Sequence, residues 1–214
     1  MPKISSAVIR RIPKYYRYVD ELYKKGIQRV SSRVLAEDMG LTASQVRQDF
    51  SCFGGFGQQG YGYNTESLRD ELADILNLNN GYTAVLIGVG NLGLALINNF
   101  NFEANGFKLL SAFDVDKTKI GKKINGIEVR SMDSLYSFCE EHKPELAVLT
   151  CPGNYANDIA AKLVEKGVLG LWNFTNVDIY FDNIKDYENK VVLENVHFSD
   201  SLMTLGCRIP GVKK

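Results

Sequence analysis

Thr83-Ala-Val-Leu-Ile87 runs directly into Gly88-Val89-Gly90-Asn91-Leu92-Gly93 and on to Leu94-Ala-Leu-Ile97, an order of residue types suited to holding a phosphate anion. The first five residues are apolar and partly β-branched, as in a strand buried on both faces. Gly88 permits a tight turn, Gly90 removes a side chain that would collide with a pyrophosphate, and Gly93 lets a helix pack closely on the strand. The free N–H groups at the start of that helix then face the anion. Alone, this spacing is a weak signal. It is strengthened by Leu109-Leu-Ser-Ala-Phe113, a second strand-like run that ends at Asp114, slightly beyond the roughly 20-residue offset usual for a ribose-binding acid. A carboxylate there holds ribose hydroxyls and disfavours a 2′-phosphate, which points to NAD over NADP; Lys117 and Lys119 count against that preference. Asp116 is the alternative acid.

Further candidates follow later strand-like runs. Cys151-Pro152-Gly153-Asn154 comes after Leu146–Thr150, and Asn173-Phe-Thr175 after Val168–Trp172. Parallel sheets collect ligands at strand C-termini, so Cys151, Pro152 and Asn173 are candidate cofactor contacts near the nicotinamide ribose; the same residues also suit turn or helix caps. No His or cation stands beside Cys151 in sequence to activate its thiol. The four cysteines (Cys52, Cys139, Cys151, Cys207) form no Cys-x-x-Cys pair, and the only histidines are His142 and His197. Four free thiols are expected, with no metal site spelled out and few ways to build a His-centred nucleophile, which counts against a hydrolase.

A second chemistry lies upstream. Ser44, Gln45, Arg47 and Gln48 crowd the start of a short helical segment, and their side chains reach base edges or phosphates in a major groove. Thr42 and Gln45 have the spacing of a capping box, which starts that helix at Ala43 and turns Val46 and Phe50 inward. Phe53-Gly-Gly-Phe-Gly-Gln-Gln-Gly-Tyr-Gly-Tyr63 is too glycine-rich for a helix and too aromatic for a disordered linker. It reads as a β-hairpin wing with Gln58, Gln59 and Tyr61 near its tip, or as a plain connecting hairpin. Residues 1–63 hold ten Lys or Arg and five Asp or Glu, a net +5 in a chain of zero formal charge. That basic end suits a polyanion, although a solvated helix face would look the same.

The elements that must position these residues follow from periodicity. Lys14–Lys25 is an amphipathic helix stopped at Gly26; Ser31 or Ser32 caps a second through Met39, ended by Gly40; Thr65–Leu78 is another. Asn79-Asn80-Gly81 marks a boundary. Strand-like runs then alternate with helical ones such as Asp158–Lys166, and Val191–Leu193 is a last strand, which implies a doubly wound parallel sheet. The expected class is α/β: an N-terminal winged helix-turn-helix domain (1–80), a C-terminal Rossmann-like domain (81–196) and a terminal segment (197–214). The length of 214 residues, with 45% hydrophobic and 23% charged, excludes wholesale disorder. No apolar run approaches the roughly 20 residues of a membrane span, so the chain is expected in the cytoplasm.

Leu41-Thr-Ala-Ser-Gln-Val-Arg-Gln-Asp-Phe50, the wing sequence and the glycine loop together resemble the Rex redox-sensing transcriptional repressors. The resemblance extends to Asn173-Phe174 and Glu194-Asn-Val-His-Phe198 and covers nearly the whole chain. It implies a homodimer that binds palindromic operator DNA when NAD+ prevails and releases it when NADH closes the dimer. It further implies that Arg47 reads DNA, that Gln58, Gln59 and Tyr61 lie in the wing, and that Phe198 lies beside the nicotinamide. Arg17 matches an interdomain switch arginine, but its usual Asp partner is His197 here, and a Tyr common after the glycine loop is Asn99. An arginine beside imidazole lacks the charge-assisted contact of a carboxylate. A C-terminal helix swapped between subunits is also implied; Gly206, Pro210 and Gly211 lead us to expect it to stop early. Rival readings are a DNA-binding regulator with altered redox discrimination and an NAD-dependent oxidoreductase, the latter lacking an obvious catalytic acid.

Overall fold

The helical spacing over Lys14–Lys25 is realised, in a computed structural model that describes residues 4–54, 56, 61–181 and 191–210, as a helix burying Ile12, Tyr15, Val19 and Leu22. The chain divides into two compact units, Met1–Asn80 and Gly81–Lys214.

The first unit runs α1 (Ser6–Ile9), α2 (Ile12–Lys24), β1 (Arg29–Val30), α3 (Ser32–Met39), α4 (Ala43–Ser51), β2 (Tyr63–Asn64) and α5 (Thr65–Ile75). Ser31 caps α3 by accepting from Val34 N at 3.2 Å, and Gly40 closes it in the left-handed conformation that suits glycine. Thr42 caps α4 through Gln45 N at 3.2 Å. The core between these helices is built from Tyr15, Leu35, Val46, Phe50, Leu68 and Leu72. In the wing, the described strand β2 pairs antiparallel with β1, Val30 opposite Tyr63, which adds a ladder partner from before α3; most of the turn of the hairpin expected over 53–63 lies outside the described residues. Two residues carry no readable alternation, which is why β1 left no trace in the sequence. Gln58 and Gln59 lie outside the described residues.

The second unit runs β3 (Tyr82–Ile87), α6 (Asn91–Asn99), β4 (Phe107–Asp114), β5 (Lys123–Ile124), β6 (Ile127–Ser131), α7 (Leu135–His142), β7 (Leu146–Leu149), α8 (Ala156–Glu165), β8 (Gly170–Asn173), β9 (Val192–Asn195) and α9 (Phe198–Arg208). The sheet order is β5-β6-β4-β3-β7-β8-β9, every pair parallel except β5 with β6. Its parallel strands thus follow the doubly wound 3-2-1-4-5-6 arrangement, with the order reversing between β3 and β7. Alternate residues of β3 serve opposite faces: Val85 and Ile87 pack with Phe113, Leu135 and Leu163, while Ala84 and Leu86 pack with Ile97, Val148 and Phe174. That double burial explains the unbroken apolar run.

The terminal helix stops before Pro210, one of the three residues expected to end it, and not at Gly206. α9 passes through Gly206 to Arg208 and ends where Ile209, extended at φ −66° and ψ 123°, precedes Pro210. A lone helical glycine costs only about 1 kcal/mol, whereas proline forces its predecessor out of the helical region. No residue of α9 is buried within this chain.

Candidate functional site

β3 pairs with β4 on one side and β7 on the other, so the loops leaving β3 and β7 meet where a parallel sheet gathers its ligands. Gly88, at φ +94°, leaves no room for a side chain: a Cβ would lie 2.7 Å from Cys151 N. Gly93 is equally crowded, its Cβ position falling inside contact distance of the Gly88 carbonyl oxygen and 3.0 Å from Thr150 Oγ1. Thr150, which sequence reasoning passed over, pins the loop by donating to Ile87 O at 3.0 Å and Gly88 O at 2.6 Å. Gly90 is the opposite case. A Cβ there meets nothing within 4 Å, and as the cap of α6 it offers no side-chain bond to the helix's first N–H groups. Open space in front of free, aligned N–H donors fits a pyrophosphate.

The loop's shape is held from β4. Asp114, 8% exposed, accepts from Val89 N at 2.7 Å and from Asp116 N at 2.8 Å, and Lys119 Nζ lies 3.7 Å from Asp114 Oδ2 and 3.3 Å from Asp116 Oδ2. Hydrogen bonds from Thr118 and the nearby Lys119 hold the Asp116 carboxyl below its ordinary pKa. Val89, counted in sequence among the cofactor contacts, has a buried side chain and an N–H taken by Asp114, so it shapes the loop from within. Asn91 is exposed and Leu92 half-buried on the first turn of α6. Val115, 78% exposed directly after Asp114, is an apolar side chain that the sequence did not flag.

On the β7 and β8 side, Cys151 is half-buried, and burial pushes its thiol up in pKa, which keeps it protonated. Pro152 leads extended into the turn Gly153–Tyr155. Asn173 is engaged by the protein itself. Its Nδ2 donates to Val177 O and Asn195 Oδ1, both at 2.7 Å, and its Oδ1 accepts from Thr175 N and Oγ1. A fully buried amide with all four hydrogen-bonding positions filled organises the turn and has none left for a ligand. Phe198, by contrast, is 54% exposed at the start of α9. Its ring lies 6.1 Å from that of Phe174, which meets Trp172 edge-on at 4.6 Å. His197 engages Asp178, Nε2 to Oδ1 at 3.0 Å, a partner invisible in sequence. Asn99 donates back to Ala95 O at 3.1 Å.

In the first unit, α4 exposes Ser44, Gln45, Arg47 and Gln48 together and buries Val46, Asp49 and Phe50. Arg47 Nη1 donates to Ser32 Oγ at 3.0 Å, at the head of α3. Tyr61 is 71% exposed, and its carbonyl accepts from Arg29 Nη1 at 3.1 Å, which ties the base of the wing to β1. Arg17 is exposed on α2. Among the described residues no group of three or more His, Cys, Asp or Glu side chains is placed to hold a metal, and no helix is long and apolar enough to cross a membrane.

A family described as a putative DNA-binding protein N-terminus matches residues 3–51, and one described as a CoA binding domain matches residues 79–177. The chain is 45% identical over 211 residues to a redox-sensing transcriptional repressor Rex of Clostridium acetobutylicum, covering 99% of this chain and 96% of that one. A Rex of Caldicellulosiruptor saccharolyticus is 47% identical over 206 residues, covering 96% and 91%. Among solved structures, RSP in complex with β-NAD+ and operator DNA superposes with a TM-score of 0.89 at 45% identity, covering 97% of this chain and 93% of that one. RSP in complex with β-NADH gives 0.86 at 41%, covering 97% and 95%. With likeness of this extent across both the helical unit and the doubly wound sheet, the chain belongs to the family of Rex redox-sensing transcriptional repressors.

Proposed function

We propose that this chain is a cytoplasmic repressor that reads the balance of NADH and NAD+ and is not an enzyme: it holds a palindromic operator with NAD+ and lets go with NADH. The observation that carries the reading is the open space at Gly90 before the uncapped head of α6, in a chain whose backbone matches RSP with β-NAD+ and operator DNA. In this reading residues 1–80 bind DNA, 81–196 bind the dinucleotide and 197–214 join two copies. The main-chain N–H groups around Gly90, Asn91 and Leu92 receive the pyrophosphate, Asp114 the adenosine ribose, and the Cys151-Pro152 turn the second ribose. Ser44, Gln45, Arg47 and Gln48 face the major groove, with Tyr61, Gln58 and Gln59 supplied from the wing.

Two half-sites need two reading helices, hence a dimer. Phe198, Leu202 and Leu205 recur at helical spacing on α9 and are all more than half exposed, as is Ile209 just after it, a stripe suited to a second copy. The protein can discriminate the two coenzymes only through the nicotinamide ring, neutral and more apolar when reduced, and the exposed face of Phe198 is assigned that role in this reading. Driving such an equilibrium nearly to completion demands about 5 kcal/mol of differential affinity. Arg17, His197 and Asn99 are the proposed transmission residues. The engagement of His197 by Asp178 favours a second reading, a regulator with altered redox discrimination.

Titration of the pure protein with NADH and with NAD+, while binding to a palindromic operator is followed, tests both. Release by NADH alone supports the sensor, and equal response to the two coenzymes supports the second reading. Turnover of a hydroxy substrate would overturn both.

A further inference from the structure

α4 has two faces of different chemistry. Opposite its exposed polar residues it buries a carboxylate, that of Asp49, to 2% exposure. Such a charge is costly unless it is paired and hydrogen-bonded. Asp49 is both. The Arg11 guanidinium straddles it, Nε to Oδ2 at 2.7 Å and Nη2 to Oδ1 at 2.8 Å, and the Tyr15 hydroxyl donates to Oδ2 at 2.8 Å. Burial raises the Tyr15 pKa and keeps that hydroxyl a donor. Arg11 stands immediately before α2 and Tyr15 on its first turn, so the network fastens α4 to the head of another helix. Tyr15 makes a second contact: its ring meets Phe50 edge-on at 4.9 Å. Phe50 in turn meets Phe56 at 4.9 Å and Tyr63 at 5.3 Å, both in the wing sequence.

Apolar packing alone would hold α4 against α2 while leaving it some freedom to roll. A planar, two-bonded guanidinium with a third donor at a fixed angle selects one setting. We propose that Arg11 and Tyr15, acting through Asp49, are positioning residues for operator reading: they fix the roll of α4 and, through Phe50, its offset from the wing strand. This rests on the DNA-binding role proposed above. An acid beneath a reading helix opposes polyanion binding in general, so its value there is geometric.

The full-length parent with NAD+ is used to select a palindromic duplex from a randomised pool; its affinity for that duplex, divided by its affinity for a scrambled duplex of equal length, gives a selectivity ratio. Asp49→Asn, Tyr15→Phe and Arg11→Lys are then compared, with circular dichroism for folding and calorimetry for NADH affinity. The expected result is a ratio about tenfold lower in Asp49→Asn and Tyr15→Phe, the scale of one lost base-edge pair, with NADH affinity and scrambled-duplex affinity not reduced. A purely electrostatic role predicts the opposite for Asp49→Asn, tighter binding to both duplexes at an unchanged ratio. Tyr15→Phe alters no charge, and with Arg11→Lys it carries the test should Asp49→Asn unfold. Unchanged ratios in the folded variants overturn the proposal. A parent that prefers no sequence overturns the function beneath it and this inference together.

Discussion

Gly93 packs against the Gly88 carbonyl so closely that no side chain fits between them, whereas Gly90, between the two in sequence, faces open space. Substitutions at Gly90 and Gly93 therefore have opposite signatures. Gly93→Ala is expected to destabilise the second unit by about 1–3 kcal/mol, the usual cost of forcing atoms into a packed site. Gly90→Val should melt with the parent yet bind neither NADH nor NAD+, because the branched side chain stands where the pyrophosphate belongs. Differential scanning calorimetry and ligand titration separate the two; parental NADH affinity in folded Gly90→Val would refute the cradle.

Asp114 both shapes the loop, through Val89 N, and faces the proposed ribose. Asp114→Ala is expected to weaken NADH binding and to narrow the gap between NADH and NADPH, since it removes a ribose acceptor and a charge that repels a 2′-phosphate. Competitive titration with the two coenzymes reads this. An unchanged preference would transfer the selective role to Asp116.

Arg47 is tethered to Ser32 at 3.0 Å, which holds its guanidinium at the outer surface of α4. Arg47→Ala should lower operator affinity by about 1–3 kcal/mol while leaving NADH affinity intact. If the arginine meets only phosphate, operator and scrambled duplexes weaken equally and the salt slope falls by about one. Fluorescence anisotropy at several salt concentrations distinguishes these outcomes.

Leu202 and Leu205 lie 70% and 58% exposed on α9, on the stripe assigned to a second copy. Leu202→Asp is expected to shift sedimentation from dimer to monomer and to abolish operator binding, with each monomer still folded, because the residue has no packing role within one chain. A parental dimer in this variant would remove α9 from the interface.

Legibility in the sequence followed distance along the chain. The glycine cradle and the start of α4 were readable because strand, turn, cap and helix are contiguous. The wing strand's partner was not, since β1 is two residues long. Asp49 carried no signal of its own in the sequence, since its partners Arg11 and Tyr15 are 38 and 34 residues away. Asn173 left two readings open for a related reason: a polar residue at a strand end suits a ligand or a turn, and only its bonds to Thr175, Val177 and Asn195 show the side chain organising the turn. Gly206 misled because one unfavourable residue does not outweigh the neighbours that favour the helix, whereas Pro210 stops it by geometry.

Trp172 is the only tryptophan in the chain, and a single ring, that of Phe174, separates it from Phe198. Indole emits where a dihydronicotinamide absorbs and its oxidised form does not. Were the coenzyme seated on Phe198, as proposed above, resonance transfer would dim this fluorophore in one oxidation state and leave it bright in the other. On that proposal the fold would carry an optical gauge of its own occupancy, readable without labels.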